Sequence, residues 1–142
     1  MNAETLRALE EEFKRFPILR GDPVDDGEID RAAASLGIDL PADYREFIRR
    51  FGAAILGPYP IFGVRPVEPM GTMWFVVDVN KHFRKEKWPG VDNWLIVSMD
   101  QGGNPIGISK DGQVWISDHG HLSTIASSFE EFVRREGLGL RD

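Results

Sequence analysis

The sequence predicts a single α+β domain spanning residues 1–142, in which a mostly antiparallel, curved sheet of four to six strands has helices laid against it. Three observations point there. Residues 94–119, WLIVSMDQGGNPIGISKDGQVWISDH, read as three short apolar runs parted by two turn signals, the pattern of an antiparallel meander. Tyr44, Phe47, Ile48 and Phe51 stand at i, i+3, i+4 and i+7, which is one face of a helix. With 142 residues, 42% of them hydrophobic and 28% charged, the chain can bury one core without staples and lies far from the composition of disorder.

The elements follow in order. Leu6, Leu9, Phe13 and Phe16 are spaced by three, four and three residues, with charges on the other side, so a helix is expected over 2–16. Pro17 and the polar loop 21–27 end it. From Glu28 onward Ile29, Ala32, Ala33 and Leu36 repeat at helical spacing until Gly37, a fitting residue just past a helix end. The third helix, over 41–51, is the most fully punctuated. Pro41 suits its first turn, Asp43 and Glu46 favour the positive end of its dipole, Arg49 and Arg50 fall in the last turn, and Gly52 closes it. Residues 53–56 and 59–64 read as short strands parted by Gly57-Pro58, and Pro60, lacking an N–H, argues for an edge position.

Residues 72–87 admit two readings: 73–77 looks extended, whereas Val76, Val79, Asn80 and Phe83 with Lys81, Arg84 and Lys85 look like an amphipathic helix with a basic end. In the meander, 94–99 is nearly all apolar and suits a strand covered on both faces or central in the sheet. Residues 127–137 offer two registers of a capping box, Ser127 with Glu130 or Ser128 with Glu131, before a Phe129, Phe132, Val133 face and a stop at Gly137. Phe47, Phe51, Trp94, Ile96, Phe129 and Phe132 are the expected core.

Composition also excludes. There are no cysteines, which removes disulfides, thiolate zinc, iron–sulfur clusters and cysteine nucleophiles, and fits a reducing cytoplasm. A net charge of −6 and a pI near 5.1 disfavour direct nucleic-acid binding, because phosphate neutralisation needs clustered Lys and Arg. The charged N-terminus has no signal-peptide core, and the longest apolar stretch, 51–64, is cut by Gly52, Gly57, Pro58 and Pro60, so no membrane span is expected.

Few residues suggest chemistry. Asp118-His119-Gly120-His121 packs two imidazoles and a carboxylate into four positions, yet no further ligand stands nearby in sequence, His82 being remote, and no Ser or Cys elbow accompanies the pair. Gly102, Gly103, Gly107 and Gly112 are explained by hairpin turns, since neither GxGxxG nor a P-loop follows. The expectation is no catalytic residue, no cofactor and no metal. Among four tryptophans, Trp88 beside Pro89-Gly90 is the candidate for partial exposure and for an interface anchor. Asp22, Asp25, Asp26, Glu28 and Asp30 form an acidic loop able to steer a basic partner.

Leu40-Pro41-x-Asp43-Tyr44-x-x-Phe47 with Phe51-Gly52, then Ile61-Phe62-Gly63, Asp100-x-Gly102-Gly103-Asn104-Pro105-Ile106-Gly107, Gly112-x-Val114-Trp115, an Asp-His pair, and Ile125-Ala126-x-Ser128-Phe129-x-x-Phe132 together resemble the SMI1/KNR4 family, or SUKH superfamily, over about 28–135. The resemblance implies a SUKH-like fold and tips 76–85 towards helix. It also implies a bacterial immunity protein, non-enzymatic, that binds and blocks a cognate polymorphic toxin, often a nuclease. Fungal members are regulatory scaffolds, which is the alternative; a metal-dependent hydrolase using His119 and His121 is a weaker one. The glycine-rich turn at 100–103 departs from the family's usual spacing, and no residue inherits a chemical role. The expected partner surface comprises Asp22, Asp25, Asp26, Trp88, Asp118 and His119, on a monomer or weak homodimer that meets a basic toxin.

Overall fold

Helix α1, Ala3–Arg15, begins where Asn2 turns its side-chain oxygen onto the Thr5 N–H at 2.8 Å, and it buries Leu9 and Phe13. The computed structural model describes residues 1–65 and 75–140. A short 3-10 turn, Pro17–Leu19, follows. Helix α2, Asp26–Leu36, starts two residues earlier than its apolar spacing suggests, because Asp25 caps it by accepting the Glu28 N–H at 2.8 Å. Much of the supposed acidic loop is therefore helix. Gly37 ends α2 at φ 70°, a left-handed backbone that costs glycine nothing.

Helix α3, Ala42–Phe51, seats its whole stripe: Tyr44, Phe47, Ile48 and Phe51 are all buried. Strands β1, Ala54–Leu56, and β2, Tyr59–Ile61, make a separate antiparallel hairpin in which Pro60 faces Ile55. Both strands of a two-stranded ribbon are edges, which accommodates the proline. Residues 76–85 are helical: α4 runs Val76–Lys85, with Val76, Val79, Asn80 and Phe83 on its buried face. Of the extended alternative, residues 73 and 74 lie outside the described residues.

The second sheet is the expected meander, β3 (Leu95–Met99), β4 (Pro105–Ile108), β5 (Val114–Asp118) and β6 (His121–Ala126), each antiparallel to the one before. Strand β3 is covered on both faces, but it is the sheet's edge rather than its centre. Its outer rim is closed by other means. The Asn80 amide, fully buried, accepts the Ile96 N–H at 2.8 Å and donates to the Ile96 carbonyl at 2.9 Å, standing in for a neighbouring strand. The Phe62 N–H donates to the Val97 carbonyl at 2.9 Å. Strand β6 is not among the elements that the sequence pattern predicts.

Ser128 supplies the cap of α5, Phe129–Phe132, accepting the Glu131 N–H, so the second register prevails; Ser127 binds the Glu131 carboxylate instead. A π-type turn, Val133–Gly137, continues the helix. The six residues expected in the core are all buried. The Phe129 ring meets Tyr44 at 5.2 Å and Phe47 at 5.6 Å edge-on, and the Tyr44 hydroxyl donates to the Phe62 carbonyl at 2.6 Å. Glycine permits two close backbone approaches: a Cβ on Gly52 would stand 2.1 Å from the Asp22 carbonyl oxygen, and one on Gly63 2.3 Å from the Gly52 carbonyl oxygen.

Candidate functional site

Three of the six expected partner-surface residues converge. Beyond α4, Lys87 takes φ 55°, and the Trp88 N–H returns to the Phe83 carbonyl at 3.1 Å. The Trp88 indole then lies half-buried, edge-on to Phe83 at 5.5 Å, with Nε1 donating to the Ser117 carbonyl at 3.1 Å. Ser117 Oγ donates in turn to the Pro89 carbonyl at 2.5 Å. The α4–β3 connection is thus fastened to β5 by two hydrogen bonds.

The β5–β6 reversal turns on His119 and Gly120, at φ 53° and 99°. Positive φ at both central positions is the type I′ geometry that suits the twist of a hairpin and that Asn-Gly usually supplies. Histidine there carries a Cβ penalty. Its ring packs against Trp88 with centroids 4.9 Å apart and the planes tilted by 44°, and Nδ1 lies 3.0 Å from Asp118 Oδ1. The His119 and Asp118 side chains stay 73% and 64% exposed. Leu122, 43% exposed, sits against Gly90. The result is a corner of two packed rings, a carboxylate and an aliphatic knob, open to solvent on one side.

Ser117, the hydroxyl nearest the Asp118-His119 pair in sequence, is buried and committed to Pro89. His121 opens β6 across from Asp118. Among the described residues, no group of three or more His, Cys, Asp or Glu side chains is placed to hold a metal ion.

Asp22, Asp25 and Asp26 lie elsewhere, at the start of α2, and much of the charge around them is matched. Arg45 of α3 reaches Asp26 at 3.1 Å and Asp30 at 2.7 Å, and Arg49 stands 4.0 Å from Asp26. Arg65 grips both oxygens of Glu28; this bonding holds the Glu28 carboxyl below its ordinary pKa, against a smaller opposing push from desolvation. Arg45 and Arg49 repeat at i, i+4, a signal that α3 turns a basic edge to a neighbour. No sequence signal pointed to Leu122, because β6 was not foreseen.

The arrangement defines an α+β domain with a four-stranded antiparallel meander, helices against it and an exposed aromatic corner at a hairpin tip. The profile of the SMI1 / KNR4 family (SUKH-1) matches residues 23–135, and the chain belongs to that family. It is also similar to the crystal structure of a protein from Pseudomonas syringae pv. tomato, with a TM-score of 0.65 and 17% identity over 83% of this chain and 84% of that one. Likeness at that identity speaks for the fold alone. No curated protein matches. Among the described residues, no helix is long and apolar enough to cross a membrane.

Proposed function

We propose that this chain is a non-catalytic binding protein of the immunity type, acting in the cytoplasm to neutralise a cognate, basic protein toxin by covering its working surface. The observation that supports this reading best is the Trp88, Asp118 and His119 corner. A packed aromatic pair, partly exposed and held by hydrogen bonds to the β5–β6 hairpin, is what an interface anchor needs, since a preorganised ring loses little freedom on binding. Histidine in a left-handed position where asparagine or glycine is easier points the same way, because strain retained at an exposed site suggests use. The net charge of −6 attracts a basic partner over distance. Asp22, Asp25 and Asp26 are assigned the lesser part of steering, which acts through the summed field even where some carboxylates are paired.

The test is binding to the product of an adjacent toxin gene, followed by surface kinetics at two ionic strengths. Tight binding to the wild type, with about a hundredfold loss for Trp88→Ala combined with His119→Ala, is expected for a central anchor. The triple change Asp22→Asn, Asp25→Asn, Asp26→Asn should slow association and flatten its salt dependence while leaving dissociation unchanged; asparagine keeps the Asp25 cap. If no adjacent product binds, the regulatory interaction-protein reading takes precedence.

A further inference from the structure

An open groove of about 820 Å³ is lined by the α2–α3 connection, the α4–β3 connection and the β4–β5 turn. Ile38 and Leu40 form one wall, and Leu95 and Ile108 lie at the bottom. Asp39, Asp92 and Asp111 stand exposed along it. A second hollow of about 400 Å³ shares Asn93 and residues 109–111 with the first and continues past Trp94 and Trp115 to Leu122. The depression therefore passes the β4–β5 turn on both sides and ends beside the Trp88 corner. We propose that this groove is the docking track for an extended segment of the protein partner, its apolar side chains set on the groove floor and its Lys or Arg side chains meeting Asp39, Asp92 and Asp111.

Three arguments select that occupant. Among the described residues, none of the three carboxylates has an ion-pair partner, unlike Asp26, Glu28 and Asp30 of α2. Their charge is available to an incoming cation. Two cations, Arg84 and Lys110, also border the groove, so the balance is acidic by one, on a chain already at −6. The distribution, an apolar floor beneath a charged exposed rim, is that of an interface rather than an enclosed small-molecule pocket, whose polar groups converge inward. An extended segment presents side chains alternately to opposite faces, which matches an apolar floor and a polar rim. The inference rests on the protein-binding reading above and adds where the chain of the partner lies.

A synthetic peptide of about eight residues, alternating Val and Lys and roughly 26 Å long when extended, tests it directly. Titrated into the full-length protein, it should shift the backbone amide resonances of residues 38–40, 92–95 and 109–112. A peptide with Glu in place of Lys should not bind. Asp39→Asn with Asp92→Asn should weaken the Lys peptide about tenfold, with the loss shrinking at high salt; this pair is preferred because Asp111 also holds Ser109 and Gln113 in the turn. Shifts centred on α2 or on the Trp88 corner, or equal binding of the Glu peptide, overturn the proposal. So does an adjacent-gene toxin that binds the Asn variant as tightly as the wild type, an outcome that leaves the immunity reading intact. Failure of every adjacent product to bind, with the peptide shifts as expected, removes the toxin and keeps the groove.

Discussion

The packing around Tyr44 and Phe47 and the corner at Trp88 and His119 are assembled from the same materials, aromatic rings and single hydrogen bonds, to opposite ends. In the first, Phe129 meets Tyr44 and Phe47 edge-on, Phe51 meets Phe47 at 5.2 Å, and Phe13 closes the far side at 5.0 Å. Every ring has ring or aliphatic neighbours around it. In the second, Phe83 backs Trp88, His119 covers it, and the rest faces water. The difference lies in how many elements converge: α1, α3 and α5 meet at Phe47 and its neighbours, whereas only the end of α4 and one hairpin meet at Trp88. Stability should therefore reside in the first and binding in the second.

The sharpest way to break that division is Phe47→Ala, which should cost about 3–5 kcal/mol in denaturant unfolding, the range for a fully enclosed phenylalanine. A loss near 1 kcal/mol would place the core elsewhere. Next comes Asn80→Ala, which leaves the Ile96 N–H and carbonyl buried without partners and should cost about 2–3 kcal/mol; retention of wild-type stability would mean that water replaces the amide.

Tyr44 supplies a pH test of the same core. Burial pushes its hydroxyl pKa well above the ordinary 10.0, so the folded state keeps a proton that the unfolded chain gives up. The stability this represents is intact below pH 10 and declines as pH rises further, by about 1.4 kcal/mol per pH unit. Tyr44→Phe should remove most of that alkaline slope in melts between pH 9 and about 11.5, the smaller remainder coming from Tyr59, raised mainly by its partial burial. An unchanged slope would show that the Tyr44 site is wet.

On the other side of the comparison, Trp88→Ala should cost only about 1–2 kcal/mol of stability, since the ring is half-exposed already. The smallest effect is expected for His119→Gly, which exchanges the tilted ring contact with Trp88 for relief of a left-handed backbone and should fall within about 1 kcal/mol of the wild type, on the stabilising side. A loss of more than that would make His119 a structural residue and weaken the case for a binding corner.

How much of this could be read beforehand depends on whether the cause was local. The α3 stripe, the Ser128 cap and the two β4 turns are written within a few neighbouring residues, and all of them appear in the fold. Strand β6 was not legible because HLSTIA alternates weakly and opens with a histidine. The start of α2 was obscured by Gly27, ordinarily a loop signal, although the Asp25 cap overrides it. Apolarity in β3 reported burial correctly but not position, since an edge strand sealed by Asn80 and Phe62 has the same composition as a central one. The corner and the groove were invisible for a further reason. Trp88 and His119 are 31 positions apart, and the groove joins residues from three connections, so neither exists until the chain has folded.

The seal on β3 also limits what copies of this molecule can do to one another. A β-sheet extends by lending an unpaired rim to another chain, and a row of molecules needs two such rims on each, one to take and one to give. In the four-stranded sheet, Asn80 and Phe62 occupy the β3 rim at Ile96 and Val97, and among the described residues the outer side of β6 has no backbone bond to a further strand. Joining through β6 uses that rim up in both molecules at once. Association of copies along this four-stranded sheet is therefore expected to stop at pairs, an outcome that sedimentation at rising concentration checks.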